Sequence, residues 1–406
     1  MADEPKKENR ADWGSGSVRE RPEGSGRWEL RYPLGKDAAG KRKIGQRTIQ
    51  AKSENAARRE LRRIMAEVDQ GQHVDYSKET VAQFIERWLA DWAESRVRLR
   101  TFERYTELLR LHVSRHIGAM LLQKLTASDL DALYTMLAKT GRDDGLGLAP
   151  RTIVHVHRAL SLALRQAVLW KNLQANPASS VRPPRVPHAE VEILAPAELA
   201  LVMEKLKDNP VYPIMVVALG TGARRGEILA LRWCDLDLEG GQVRIHRAVE
   251  QTKRQVIIDE PKTKNSRRTV SMPAFVVAEL KSHRRRQQER RLALGLGKPH
   301  EDALVFGHIT GEVLRPDTLT KQWAKAMKGL GLKFKLHALR HTCASALIAS
   351  GLDVLSVSRR LGHANATMTL QTYSHLFRDN DDRAVRALDA AFSSVPGTAR
   401  EPSANS

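Results

Sequence analysis

The chain has 406 residues, and its 67 lysines and arginines outnumber its 47 aspartates and glutamates, which gives a formal net charge of +20 at neutral pH. Because a typical domain has roughly 150 residues, this length predicts several domains, each large enough to bury a core. The 41% content of hydrophobic residues excludes a chain that is disordered as a whole. A positive excess of this size makes a polyanion the natural partner, with nucleic acid favoured over an acidic membrane surface.

Several classes of protein are excluded by the sequence. No apolar stretch approaches the ~18 residues of a membrane-spanning helix, and the polar N terminus does not resemble a signal peptide, so a cytoplasmic protein is expected. The two cysteines, Cys234 and Cys343, form no CxxC pair, which argues against a disulfide framework or a zinc ribbon. The motifs of zinc proteases, serine hydrolases and dinucleotide-binding folds are also missing, and neither a metal nor another cofactor is predicted.

The first folded block is predicted at residues 17–72, after a polar stretch, residues 1–16, that is expected to be disordered. Trp28, Leu30 and Tyr32 alternate with charged residues, which indicates a half-buried strand, and a second strand and a helix follow. The polar face of this helix carries four candidate DNA-binding residues: Arg58, Arg59, Arg62 and Arg63. A small sheet packed on one basic helix suits a reader of a DNA groove, although a solvated charged face on a stabilising domain fits the same pattern.

A second block, residues 77–175, is predicted to be entirely helical. Apolar residues recur at helical spacing from Val81 to Trp92, and this amphipathic stripe indicates the core of a bundle. The remaining helix faces carry arginines that could grip a phosphate backbone. The candidates are Arg98, Arg100, Arg104 and Arg151.

The third block, residues 191–393, is predicted to mix helices with a short antiparallel sheet. A Pro-rich linker at residues 176–190 precedes it and is expected to be extended rather than folded. The polar tail, residues 394–406, is expected to be disordered. Further DNA-binding candidates lie in the linker and in a basic hairpin of the third block: Arg182, Arg185, Arg267 and Arg268.

An ordered series of residues in the third block carries the functional signal. Arg224 and Glu227 are one helical turn apart, and so are His337 and Arg340, so each pair is predicted to share a helix face. Each residue alone has an ordinary explanation, such as a helix salt bridge or a solvated turn, and their coincidence is what points to chemistry. In chain order the series is Arg224, Glu227, Lys262, Lys264, His337, Arg340, His363 and Tyr373.

Attack on a phosphodiester by a phenol would need this set of groups. Two arginines can bind the non-bridging oxygens and offset the added negative charge of the pentacoordinate transition state. Tyrosine, with a pKa of about 10, needs a base or a dense positive field to act as a nucleophile at neutral pH, and His337 could take its proton. A hairpin lysine could protonate the leaving 5′ oxygen, and Glu227 would orient and neutralise its arginine neighbours.

With these residues, the sequence resembles the tyrosine recombinase, or phage integrase, family from about residue 17 to residue 392. The family signature is Arg, Lys, His-x-x-Arg, His or Trp, and Tyr, in that order. TGARRGE, HALRH and LGHANATMTLQTYSH match it, whereas Ala338 stands where most members have an aspartate that is not catalytic. For the catalytic lysine, Lys262 fits best and Lys264 is the alternative.

The resemblance implies an α+β multidomain fold: a three-stranded sheet with a helix that binds arm-type DNA, a helical core-binding domain, and a mainly α catalytic domain with a small antiparallel sheet. It implies that Tyr373 attacks the scissile phosphate and forms a 3′-phosphotyrosyl link, without ATP or metal. The implied partners are double-stranded DNA attachment sites, three further copies of the chain in a tetramer, and a host DNA-bending protein or an excision factor. The last helix, with Val385, Leu388 and Phe392 on one face, is expected to dock on a neighbouring copy or on its own domain.

Three hypotheses about function follow. The first is a site-specific recombinase of a prophage or another integrative element, acting in the bacterial cytoplasm at the nucleoid; the arm-like first block favours it. The second is an enzyme like a type IB topoisomerase, which uses the same chemistry without strand exchange. The third is a DNA-binding regulator that has kept the fold without catalysis, and the intact series of catalytic candidates argues against it.

Overall fold

The computed structural model describes residues 16–36, 40–70, 73–187, 191–259, 267–374 and 381–392. The chain divides into two compact units, one up to residue 187 and one from residue 188 onward. None of the described helices is long and apolar enough to cross a membrane. The predicted disordered ends lie almost entirely outside the described residues, and so do the two candidate catalytic lysines, Lys262 and Lys264.

The first unit begins with an antiparallel sheet of three strands in the order β1–β2–β3. Its elements are β1 (Ser17–Glu20), β2 (Arg27–Lys36), β3 (Arg42–Gln50) and the helix α1 (Glu54–Asp69). Helix α1 begins where the Ser53 side chain accepts a hydrogen bond from the backbone of Ala56. We call β1 to β3 together with α1 the N-terminal sheet layer; its buried core consists of Leu30, Tyr32, Ala57, Leu61 and Ile64.

The face of this sheet that turns away from α1 is polar and ordered. Because side chains alternate along a strand, Leu30 and Tyr32 face the helix while Glu29 and Arg31 lie on the outer face. Glu29 is only 9% exposed there. Its Oε1 accepts hydrogen bonds from Arg31 Nε at 2.7 Å and from Gln46 Nε2 at 2.8 Å. A carboxylate thus fixes the orientation of an arginine and a glutamine on an open sheet face.

The rest of the first unit is a helical bundle, as the sequence predicts. Its four long helices are α2 (Val81–Trp88), α3 (Leu99–Leu109), α4 (Ala127–Thr140) and α5 (Pro150–Leu169). Turns of π-helix and short α-helical segments extend α2 through Arg96 and α3 through Ile117. The predicted stripe of α2 is buried: Val81, Phe84, Ile85 and Trp88 are 0% exposed and pack on α3 and α5.

The start of the predicted linker is folded, which corrects the expectation of an extended chain from Asn176. Residues Pro177–Ser180 form a turn of 3-10 helix, capped by the side chain of Asn176. Ala178 and Val181 are buried in the core of the bundle. Two small apolar side chains therefore anchor a segment whose proline content suggested extended structure. The irregular part of the linker begins only after this segment.

The second unit surrounds a larger core. Its helices are α6 (Pro196–Lys205), α7 (Tyr212–Thr221), α8 (Arg225–Leu229), α9 (Ala274–Ala293), α10 (Pro316–Gly329), α11 (Ala338–Ala349), α12 (Val354–Leu361), α13 (Ala366–Tyr373) and α14 (Asp381–Phe392). Its strands are β4 (Leu236–Asp237), β5 (Gln242–Ile245), β6 (Ala248–Gln251), β7 (Val256–Asp259) and β8 (Arg268–Ser271). They form an antiparallel sheet β4–β5–β8 and a hairpin β6–β7. Helix α7 is apolar on every side and is buried along most of its length, as expected of a central helix.

Replacing Ile64 with alanine should unfold the N-terminal sheet layer selectively. Ile64 is fully buried in a core of five residues, and the truncation leaves a cavity that costs about 2–5 kcal/mol, a large share of what so small a core supplies. We expect limited proteolysis to cut within residues 16–70 of the variant at temperatures where the helical bundle stays protected. Ile44→Ala, at a position 61% exposed on β3, is the control and should match the wild type. Equal protease resistance of Ile64→Ala and wild type would contradict the expectation.

Candidate active site

The site is built around a buried carboxylate at the start of α8. Helix α7 ends at Thr221, and Gly222 adopts a left-handed conformation with φ 65°, which a residue with a Cβ rarely accepts. The chain then turns so that Arg224 directly precedes α8. Its backbone N–H donates to Glu227 Oε2 at 2.9 Å, and its Nη1 donates to Glu227 Oε1 at 2.8 Å. The predicted pair is therefore formed.

A second arginine reaches the same carboxylate. Arg268 on β8 donates from Nη2 to Glu227 Oε2 at 2.9 Å and from Nε to the Arg360 carbonyl at 2.7 Å. Its side chain is 7% exposed and that of Glu227 is 3% exposed. Arg268 was predicted to bind DNA; the structure corrects this, because its guanidinium is used inside the protein to hold Glu227.

The two arginines keep Glu227 ionised. Burial alone would raise the pKa of Glu227, but the charges and hydrogen bonds of Arg268 and Arg224 outweigh it, and the pKa is lowered from the usual value of 4.5. The carboxylate is therefore charged at neutral pH and accepts hydrogen bonds through both of its oxygens.

Arg340 on α11 lies beside this group with part of its hydrogen-bonding capacity unused. It is 3% exposed. Its Nη1 donates to the carbonyl of Gly222 at 2.5 Å, whereas its Nη2 is buried and has no hydrogen-bond partner among the described residues. Burial and the charge of Arg224 lower the pKa of Arg340 to about 9, and Glu227 acts in the opposite direction. We call Arg224, Arg268, Arg340 and Glu227 the arginine cluster; it carries two positive charges in excess.

Two histidines flank the cluster. His337 is the residue before α11 and is exposed on one side. His363 follows Gly362, which ends α12 in a left-handed conformation with φ 67° and whose carbonyl accepts a hydrogen bond from Arg224 Nη2 at 2.8 Å. His363 Nδ1 lies 2.7 Å from Thr369 Oγ1. Desolvation and the nearby positive charges lower the pKa of both, that of His363 to about 4, so both are neutral at pH 7.

Tyr373 ends α13 and is buried, with 1% of its surface exposed. Its hydroxyl oxygen is within hydrogen-bond distance of His341 Nδ1, with 2.6 Å between the two atoms. Burial raises the pKa of Tyr373 to about 12, although the charge of Arg340 acts to lower it. The resting hydroxyl is therefore protonated at neutral pH.

His341 is the residue of the site that the sequence did not single out. It neighbours Arg340 in the chain and follows His337 by one helical turn, so its spacing placed it on the face of α11 that carries the candidates. Its ring meets the ring of His337 edge-on at 4.8 Å and that of Tyr373 at 5.7 Å. The spacing of one helical turn between His337 and His341 was the sequence feature that could have identified His341.

The other predicted DNA-binding residues lie at the surface. Arginines 58, 59, 62 and 63 are exposed on α1, where Arg58 pairs with Glu54 and Arg63 pairs with Glu60, both at 2.7 Å. The remaining candidates are also exposed: Arg98, Arg100, Arg104, Arg151, Arg182, Arg185 and Arg267. Their exposure permits contact with a partner. Among the described residues, no group of three or more His, Cys, Asp or Glu is arranged as a metal site.

Two protein families match the chain. The Phage integrase family matches residues 192–379, which include the arginine cluster, both histidines and Tyr373. The N-terminal SAM-like domain of phage integrases matches residues 80–137 of the helical bundle. The chain belongs to the tyrosine recombinase family. It is a tyrosine-type site-specific DNA recombinase.

Relatives of this recombinase match along most of its length. A protein named tyrosine recombinase XerC-like, from Caldanaerobacter subterraneus subsp. tengcongensis, is 27% identical over 387 residues, which cover 90% of this chain and 96% of the relative. An integrase of Streptomyces ambofaciens is 29% identical, covering 91% of this chain and 95% of the relative. The ICEBs1 integrase of Bacillus subtilis is 26% identical over 70% of this chain and 75% of the relative. These names support the recombinase hypothesis over the two alternatives.

The fold of the recombinase is shared with solved structures. A structure of the Tn1549 transposon integrase, in complex with a circular intermediate DNA, aligns with a TM-score of 0.65 and 21% identity over 76% of this chain and 99% of that one. A lambda integrase dimer bound to a core site aligns with a TM-score of 0.54 and 16% identity over 92% of this chain and 97% of that one. These likenesses confirm the predicted fold class.

Replacing Glu227 with glutamine should destabilise the second unit strongly. The change leaves buried guanidinium groups without their counter-charge, which costs about 3–5 kcal/mol. Because the folded-state pKa of Glu227 is lowered, its stabilisation is complete above pH 4.5 and is lost as the pH falls below that value. The gap in melting temperature between wild type and Glu227→Gln should therefore be widest near pH 7 and narrow below pH 4.5.

A control for this experiment is Glu301→Gln, because Glu301 pairs with Arg284 at 2.8 Å but is 68% exposed. An exposed pair contributes about 1 kcal/mol or less, so its loss should barely change the melting temperature. If both glutamine variants melted alike, the arginine cluster would not depend on Glu227.

Proposed function

We propose that this recombinase cuts and rejoins the double-stranded DNA attachment sites of an integrative element, such as a prophage, through a 3′-phosphotyrosyl intermediate on Tyr373. The observation that carries this proposal is the buried Nη2 of Arg340, which has no hydrogen-bond partner among the described residues. A buried donor of this kind is costly unless a ligand completes it. A phosphate oxygen of DNA supplies both the acceptor and the negative charge.

The charge of the arginine cluster suits the transition state better than the ground state. A phosphodiester carries one negative charge, and the pentacoordinate phosphorane formed by attack of a phenolate carries two. The cluster has two positive charges in excess, since three arginines share one carboxylate. Attraction in a buried site therefore grows as the reaction proceeds, which is the condition for catalysis by electrostatic stabilisation.

The residues divide the chemistry between them. Arg224 and Arg340 bind the non-bridging oxygens, while Glu227 and Arg268 hold Arg224 in place. His337 and His363 are neutral and can each donate an N–H to a phosphate oxygen without adding charge. The general acid for the 5′ oxygen is a lysine of the segment between β7 and β8, Lys262 or, as the alternative, Lys264.

Each strand exchange consists of two transesterifications. The oxygen of Tyr373 forms a bond to phosphorus, the bond from phosphorus to the 5′ oxygen breaks, and that oxygen leaves as a hydroxyl. The 5′ hydroxyl of the partner strand then attacks the phosphotyrosyl link and releases Tyr373. One phosphoester is exchanged for another at each step, so the reaction does not consume ATP.

We assign DNA contacts to each predicted domain. Residues 17–72 bind arm-type DNA, through the arginines of α1 and through the outer sheet face on which Glu29 orients Arg31 and Gln46. Arginine and glutamine are the side chains that read guanine and adenine in the major groove. Residues 77–175 bind the core site, and residues 191–393 carry catalysis. The exposed linker arginines at 182 and 185 add contacts to phosphates.

Assembly on DNA follows from an apolar stripe on α14. Val385, Leu388 and Phe392 are each at least half exposed, at 50%, 55% and 53%. The same unit has an apolar cavity of about 450 Å³ that could receive such a stripe from a second copy; its lining includes Leu199, Met203, Phe275 and Leu347. We propose a tetramer on DNA held by this contact, working in the bacterial cytoplasm with a host DNA-bending protein or an excision factor.

Tyr373→Phe should abolish covalent adducts between protein and DNA and leave DNA binding nearly unchanged, because only the nucleophilic oxygen is removed. The substrate is a nicked suicide duplex that carries the direct repeat from the DNA flanking the coding region, and adducts are detected in denaturing gels. Tyr212→Phe, in the same unit, is the control and should form adducts like the wild type. Adducts that survive in Tyr373→Phe would show that another residue is the nucleophile.

Arg100→Ala and Arg151→Ala should each weaken binding to duplexes of any sequence to a similar extent. Each removed phosphate contact should lower the slope of log K against log salt by about 0.9. Arg142→Ala is the control, because Arg142 is exposed in a loop of the same helical bundle and pairs with Asp144 at 2.6 Å. Slopes that match the wild type, measured by fluorescence anisotropy from low to high salt, would remove the two arginines from the interface.

A further inference from the structure

The hydroxyl oxygen of Tyr373, the nucleophile of the proposed function, is hydrogen-bonded to His341, a histidine outside the family signature. The hydroxyl oxygen of Tyr373 and Nδ1 of His341 lie 2.6 Å apart, a short distance for a hydrogen bond. An Nδ1 that accepts a hydrogen bond belongs to a neutral imidazole, with its proton on Nε2. In that tautomer the lone pair of Nδ1 is within hydrogen-bond reach of the phenolic proton.

We propose that His341 is the proton acceptor of the nucleophile: its Nδ1 takes the proton of Tyr373 as the phenolic oxygen attacks the scissile phosphate. The proposal rests on the function proposed above and adds a residue to it. The proton moves from the tyrosine oxygen to Nδ1, and the electron pair of the O–H bond becomes available for the new bond to phosphorus. In the second transesterification the imidazolium returns the proton as the tyrosine oxygen leaves.

The geometry favours His341 over His337, which the sequence suggested for this role. The ring of His341 contacts both that of His337, at 4.8 Å, and that of Tyr373, at 5.7 Å, and its Nδ1 lies 2.6 Å from the tyrosine oxygen. His337 is also the histidine with an exposed side, from which it can reach a phosphate. The two histidines, one preceding α11 and one within it, therefore have different roles: His337 binds the phosphate and His341 contacts the nucleophile.

The charges around His341 suit a base. Burial and the positive charge of Arg340 lower its pKa from 6.5, which keeps it neutral and able to accept a proton at pH 7. The carboxylate of Glu192 acts in the opposite direction and favours the imidazolium once it forms. The other titratable groups that face His341 are His337, His363 and Tyr373. An imidazole within hydrogen-bond distance of a hydroxyl is an arrangement that can activate a nucleophile.

The first unit contains a second close contact between a tyrosine hydroxyl and a histidine Nδ1. Tyr134 OH and His157 Nδ1 lie 3.1 Å apart, with ring centroids separated by 5.7 Å, as in the pair of Tyr373 and His341. Burial is the main cause of the lowered pKa of His157, and the charge of Arg158 adds to it. Tyr134 lies in the core of the helical bundle, and His157 is partly buried beside it. A change in His157 is therefore a matched control for losing a hydrogen bond between a tyrosine and a histidine.

The test is single-turnover cleavage of the nicked suicide duplex by the full chain, with wild type compared with His341→Gln. Glutamine can still accept a hydrogen bond from Tyr373 through its oxygen but cannot take the proton, so DNA binding should persist while cleavage at pH 7 falls about 100- to 10,000-fold. The wild-type rate should fall only on the acid side, as His341 becomes protonated. The His341→Gln rate should instead rise about tenfold per pH unit between pH 7 and 10, since it then depends on spontaneous ionisation of a tyrosine whose pKa is about 12.

Two further arms separate a chemical role from a structural one. A duplex with sulfur in place of the bridging 5′ oxygen has a leaving group that needs no acid, so it should restore cleavage by a variant of the catalytic lysine and not by His341→Gln. His341→Ala should regain activity on addition of imidazole. His157→Gln should cleave like the wild type, whatever stability it loses.

The outcomes separate this inference from the proposed function. If wild type forms adducts, Tyr373→Phe does not, and His341→Gln cleaves at the wild-type rate with an unchanged pH profile, His341 is not the base and the recombinase assignment stands. If His341→Gln does not fold, failure of imidazole to restore His341→Ala overturns the inference. If wild type itself forms no adduct on a duplex that it binds, the proposed function fails first.

Discussion

The interaction on which the site depends is the sharing of one buried carboxylate by two arginines. Glu227 joins Arg224 at the start of α8 to Arg268 on β8. Through the carbonyls of Gly362 and Arg360, the same two guanidinium groups reach the end of α12. Three segments far apart in the chain are thus tied at one point. The carboxylate does more than neutralise charge, because it fixes where the positive groups point.

Two left-handed glycines make this arrangement possible. Gly222 and Gly362 each end a helix, at φ 65° and 67°, and each turns its carbonyl toward an arginine of the cluster: Gly222 toward Arg340 and Gly362 toward Arg224. A Cβ at Gly222 would lie 2.6 Å from Leu361, and one at Gly362 would lie 2.6 Å from Arg268. Helix termination and placement of the guanidinium groups are therefore the same structural event at both positions.

Much of this could be predicted from the sequence, and the rest depends on contacts that no local pattern records. The stripe of α2 has helical period and is buried as expected, and the order of basic residues pointed to the chemistry because phosphoryl transfer needs those groups. The pairing of Arg268 with Glu227 spans 41 positions and crosses from a strand to a helix, so Arg268 looked like one more surface cation. The burial of Ala178 and Val181 was not predicted, because the prolines around them suggested an extended chain. His341 could have been found by its spacing from His337, but its contact with Tyr373 requires the fold of α12 and α13.

The number of carboxylates in the cluster is a compromise between stability and reactivity. A second acidic side chain near Arg340 would satisfy its unpartnered Nη2 and remove the cost of burying that charge. It would also cancel the positive excess that a phosphorane requires and would repel the DNA phosphate. Because Glu227 is the only carboxylate of the arginine cluster, the net positive charge of the cluster stays uncompensated until an anion binds. A bound phosphate would both offset this charge and give Nη2 of Arg340 an acceptor. Tyr373, protonated and in contact with His341, already lies within the field of Arg340, which acts to lower the pKa of its hydroxyl.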